Sequence, residues 1–79
     1  MIRVKVREIA QQRGISQRQL FLRSGLDIRI IQRVMRDPFV NITLHTLDKL
    51  AETLDVDASE LIESVRREDL PPDVLPEKP

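Results

Sequence analysis

Four side chains able to grip a polyanion fall on one line between residues 28 and 36. Arg29, Gln32, Arg33 and Arg36 are spaced i, i+3, i+4, i+7. At roughly 100° per residue they occupy an arc of about 100° on a helix. Ile31, Val34 and Met35 take the other side, with Ile28 and Ile30 at its edges. Such a helix has one face to bury and one to present. A guanidinium chelates O6 and N7 of guanine, a carboxamide does the same for N6 and N7 of adenine, and both also hold phosphate oxygens. No acid stands between Ile28 and Arg36, whereas a helix that is merely solvated usually interleaves its signs. Ile28 can meet a thymine methyl or pack on the preceding helix; the sequence leaves both open.

The neighbouring elements must position that face. Asp27 is a cap for the helix of about 28–36, and Asp37-Pro38 stops it. Upstream, Ser16-Gln17-Arg18-Gln19 fits a capping box that opens a helix of about 17–24, burying Leu20 and Phe21. Gly25 ends that helix by tolerating positive φ, and Leu26 follows as an apolar plug. Two helices joined by so short a glycine-bearing turn have the geometry of a helix-turn-helix.

The remainder supplies the support. Val6, Ile9 and Ala10 give one apolar face to a first helix of about 4–13, for which Ile2 and Val4 are the lead-in and Gly14 the end. Thr43 caps a fourth helix with the stripe Leu44, Leu47, Leu50, Ala51, Leu54. Asp57 and Glu60 form a second capping box, opening a fifth helix with Leu61, Ile62 and Val65 on its inner face. The expected fold is all-α: a compact five-helix domain over residues 1–68. A proline-rich, disordered tail over 69–79 follows, since four of the last nine residues are proline.

Composition narrows the chemistry. The chain has 79 residues and no net charge, but the zero is a cancellation. Residues 1–36 carry nine bases and two acids, a net of +7, and residues 37–79 carry four bases and eleven acids, a net of −7. A basic front half points to an anionic partner. There is no cysteine, so no disulfide framework and no thiolate metal site. His45 is the only histidine and has no companions at ligand spacing; no nucleophile–base pair or glycine-rich phosphate loop is present. The expectation is a non-enzyme with no cofactor and no metal. No apolar run reaches the ~18 residues of a membrane span and no signal-peptide pattern opens the chain, so a cytoplasmic location is expected.

The segments Gly14 to Leu20, Ser24 to Asp27, Ile31 to Val34, Thr43 to Ala51 and Leu54 to Leu61, in this order and spacing, resemble the phage-repressor (lambda-repressor-like, XRE) class of helix-turn-helix regulators over roughly residues 3–65. The resemblance implies a recognition helix, the third, entering the major groove of double-stranded DNA. It implies that Gln17 and Arg18 lie at the DNA at the start of the second helix, with Gln17 on a phosphate. It implies that Ile28, Arg29, Gln32 and Arg33 reach base edges, and that Arg36 and Asn41 meet the backbone. Phe21 departs from the family's usual alanine, and would widen the gap between helices two and three or turn outward. Asp37 replaces a frequent glycine.

The expected function is a sequence-specific DNA-binding transcriptional regulator, a repressor in type. It would act as a homodimer on a palindromic operator, with Leu61, Ile62 and Val65 as the dimer surface. The alternative is a protein-interaction or antitoxin-like module that keeps the helix-turn-helix shape and takes a protein partner through its C-terminal tail, using Leu70, Val74 and Leu75 as anchors.

Overall fold

The computed structural model describes residues 1–69. The tail expected over 69–79 lies outside them apart from Asp69, which ends a short 3-10 turn at Arg67–Asp69. The elements are β1 (Ile2–Val4), α1 (Val6–Gln12), α2 (Gln17–Ser24), α3 (Ile28–Arg36), α4 (Leu44–Leu54), a 3-10 turn at Ala58–Leu61, and β2 (Ile62–Ser64). The described residues are mostly helical: four α-helices carry them, and a two-stranded antiparallel sheet pairs residues 2–4 with 62–64.

Each helix contributes to one core. Val6 and Ala10 from α1, Leu20 from α2, Ile31 from α3 and Leu50 from α4 are fully buried, with Val34 and Leu54 nearly so. The apolar stripe on α4 forms as its spacing predicts, except that Leu44 in the first turn stands out at 83% exposed. The caps are the expected ones. Thr43 Oγ1 accepts the Thr46 N–H at 3.1 Å, while Gly14 takes φ +66° beyond α1. There Ile15 N–H closes back on the Ala10 carbonyl at 2.9 Å, satisfying a carbonyl that the helix end leaves free. Among the described residues no helix is long and apolar enough to cross a membrane.

Two expectations are corrected. The first helix begins at Val6 rather than near residue 4, because Ile2 to Val4 form a strand. The fifth helix is a single 3-10 turn that gives way to β2. Glu60 does reach back to the Asp57 N–H at 3.1 Å, so the local start signal works. What ends the turn is a partner: Lys5 N–H donates to the Leu61 carbonyl at 2.7 Å, and β2 pairs with β1 in the register Ile2↔Ser64, Arg3↔Glu63, Val4↔Ile62. On one face of this ribbon Val4 is buried and Ile62 packs on the core. On the other, Arg3 donates to Glu63 and to Glu8 of α1, each at 2.6 Å. The Glu63 hydrogen bond is the main cause that raises the Arg3 pKa above its ordinary value. The Met1 ammonium and the Val65 backbone extend the pairing by one more residue on each strand.

This geometry also breaks up the expected dimer surface. Leu61 is fully buried in the monomer's core, Ile62 packs against that core from the strand, and Val65 is half-buried beside Met1. The three do not share one exposed helix face. Leu61→Ala is therefore expected to cost the fold about 2–5 kcal/mol. Urea unfolding checks this, and the loss should not depend on protein concentration.

Candidate nucleic-acid interface

The α2–α3 unit is built from local signals that all form. Ser16 Oγ accepts the Gln19 N–H at 3.1 Å, and Gln19 Oε1 accepts the Ser16 N–H at 3.0 Å. This reciprocal box satisfies two of the free donors at the start of α2. At the other end Gly25 adopts φ +73°, and its N–H donates to the Phe21 carbonyl at 3.3 Å. The Leu26 N–H donates to Ser24 Oγ at 3.2 Å, holding the turn closed. Asp27 Oδ1 then accepts the Arg29 N–H at 2.8 Å and starts α3.

Phe21 does not turn outward into solvent. It is half-buried against the core, while Leu20 beside it is fully buried, and α2 packs on both α3 and α4. The exit of α3 is tied down from a direction the sequence did not announce. Asp37 N–H bonds the Arg33 carbonyl at 2.8 Å, Asp37 Oδ1 accepts the Phe39 N–H at 3.0 Å, and the Pro38 carbonyl accepts the Val4 N–H at 2.6 Å. Strand β1 thus holds the end of α3 in place.

On this frame α3 has the two faces that its spacing predicts. Ile31 and Val34 are buried, and Ile30 and Met35 pack partly on the core. Arg29, Gln32, Arg33 and Arg36 are all exposed, as are Gln17, Arg18 and Asn41. The Arg29 side chain is 87% exposed, with Nε 4.0 Å from Asp27 Oδ1. So open a pair contributes little and leaves the guanidinium available. Ile28 is also exposed, at 37%.

Part of the exposed set lines two depressions that flank α3. On one side of α3, Gln32 and Arg36 line an open depression together with Gln17 of α2 and Arg7 of α1. On the other, Arg33 lines a depression of about 140 Å³ with Asn41 and Thr43 of the following loop. No acid lines either one. A separate depression collects Asp48, Glu52, Asp55, Asp57 and Glu60, away from the two basic ones, while the charges of the two halves of the sequence meet in the Arg3–Glu63 pair. Arg7 is the residue that sequence reasoning missed. It lies on a different helix from the arginine row, and only the packing of α1 on α3 brings it beside Arg36. Its signal was its place among the nine bases of the front half.

A profile of the helix-turn-helix family matches residues 6–61, from the start of α1 to the end of the 3-10 turn. The chain belongs to that family. A solved structure similar to it is that of a candidate DNA-binding protein from Bacteroides fragilis, 25% identical in sequence with a TM-score of 0.69. The match covers 80% of this chain and 100% of that one. No curated protein matches the chain. The resemblance to XRE-type regulators read from the sequence therefore holds for the helix-turn-helix, including α4, which backs it.

The turn between the helices makes a simple demand. A Cβ built on Gly25 meets nothing within 4 Å, so the only obstacle to a side chain is the positive φ. Gly25→Ala should destabilise the domain by about 1–2 kcal/mol, the cost of a left-handed conformation for an L-residue. Chemical denaturation measures it; an unchanged midpoint would mean that the turn relaxes out of that conformation.

Proposed function

We propose that this protein is a sequence-specific DNA-binding transcriptional regulator of the repressor type, which lays α3 in the major groove. The observation that carries the reading is the exposed row Arg29, Gln32, Arg33, Arg36, free of acids, on the second helix of a helix-turn-helix. An α-helix fits the major groove, and these side chains are the ones whose donors match purine edges. Arg29, Gln32 and Arg33 are assigned to base edges. Gln17, Arg18, Arg36 and Asn41 are assigned to the phosphate backbone, and Arg7 joins them because it lines the same depression as Gln17 and Arg36. The DNA-binding description of the Bacteroides fragilis protein agrees with this reading.

The flanking depressions suit the task. Backbone contacts on either side of a recognition helix set its register, and base contacts then specify sequence. The acidic depression on α4 and the segment after it orients the domain by repulsion and limits non-specific binding. Regulators with this unit bind as dimers on half-sites one helical turn apart. A homodimer on a palindromic operator is part of the proposal.

Selection of bound sequences from a random duplex pool, with mass measured on the selected DNA, tests the reading as a whole. A palindromic motif occupied by two copies is the expected result, and failure to shift any duplex at low salt would overturn it. Arg29→Ala or Arg33→Ala should cost about 1–3 kcal/mol on the selected site and relax its sequence preference. Arg7→Ala, Gln17→Ala and Arg36→Ala should instead weaken all duplexes alike. With about five to seven phosphates neutralised, the log–log salt slope should be about −4 to −6, and each arginine lost from the backbone set should make it shallower by about one. An Arg29/Arg33 double alanine variant that binds the selected site as the wild type does would remove α3 from the role of reader.

A further inference from the structure

Ile28 is the most exposed aliphatic side chain of α3, at 37%. Ile31 and Val34 are buried and Ile30 packs partly on the core, whereas Ile28 is exposed and outside that packed group. It occupies the first turn of α3, held by the Asp27 cap, one helical turn before Gln32 and directly before Arg29. A β-branched side chain on a helix has essentially one χ1 rotamer, so it is already ordered before anything touches it. The polar groups around it can read hydrogen-bonding edges but not an apolar group. In the major groove the apolar group is the methyl on C5 of a pyrimidine, which thymine carries and cytosine does not.

We infer that Ile28 is a specificity-determining residue that reads a pyrimidine C5-methyl group in the DNA, beside the base read by Gln32. The inference rests on the proposed function and adds to it the chemistry of one position in the target. Two bases carry that methyl, thymine and 5-methylcytosine, and the same contact serves either. Burying one methyl against Ile28 removes about one CH₂ equivalent of apolar surface from water on each side, so the preference should be about threefold to tenfold.

The experiment starts with sites selected from a random duplex pool by the wild type and by Ile28→Ala. The position at which Ile28→Ala loses a thymine preference is then rebuilt with thymine, uracil, cytosine or 5-methylcytosine in otherwise identical duplexes. Uracil keeps every hydrogen-bonding group of thymine and lacks only the methyl. Wild type should bind the thymine duplex about threefold to tenfold more tightly than the uracil duplex, and Ile28→Ala should not distinguish them. A matching gain from cytosine to 5-methylcytosine would make a methylated cytosine an equal source of the contact, whereas tight binding to thymine alone would make thymine the source. Equal response of both proteins to uracil, or none from the wild type, overturns the inference while leaving the proposed function intact. If neither protein selects DNA, both fall together. Thermal midpoints measured for both proteins, together with their binding to the uracil duplex, separate lost reading from lost folding.

Discussion

Gly25 turns the chain at φ +73° between two helices that must reach the same core, α2 through Leu20 and α3 through Ile31 and Val34. With only Gly25, Leu26 and Asp27 between them, the angle between the helices has little freedom, and burial of those three side chains removes what is left. Once Ile31 and Val34 are inside, periodicity leaves Arg29, Gln32, Arg33 and Arg36 no place but solvent. The presented face is a consequence of the buried one. Ile28, one residue past the cap, keeps 37% of its surface exposed.

The rest of the fold keeps α3 from moving on that turn. Its start is capped by Asp27, and its exit is fastened through Pro38 to Val4, so the two ends of the helix are held by different parts of the chain. Strand β1 is in turn held by β2, and the Arg3 guanidinium ties both to α1 through Glu63 and Glu8. In this way residues 60 positions apart in sequence help to set the pose of a nine-residue helix. Charge is arranged on the same plan. The basic flanks of α3 draw on α1, α2 and the loop after α3, while the acids gather on α4 and the segment that follows.

Much of this was legible before any coordinates. The Ser16–Gln19 box, the Gly25 turn, the Asp27 and Thr43 caps and the stripe on α4 are all local signals, and each formed where its residues stand. The errors came where a local signal was outvoted. Asp57 and Glu60 do start a turn, and Leu61, Ile62 and Val65 have helical spacing. A strand already waiting at Ile2–Val4 offers backbone partners that a marginal last helix cannot match. Ile2 and Val4 alternate as strand residues do, but so short a pattern does not name a partner 60 residues away. Leu61 moved from an expected surface to the core for the same reason.

The sequence by itself determined the identity of the four helices, the turn that joins α2 to α3, and the arginine face, because each depends on residues no more than a few positions apart. Tertiary structure alone decided three things: that Ile2–Val4 pairs with Ile62–Ser64 as a sheet, that Arg7 stands beside Gln17 and Arg36, and that Ile28 stays more exposed than the other aliphatic residues of α3. These are facts about which distant surfaces meet. Helix periodicity says which side of an element is apolar, but it carries no term for the element that will cover it.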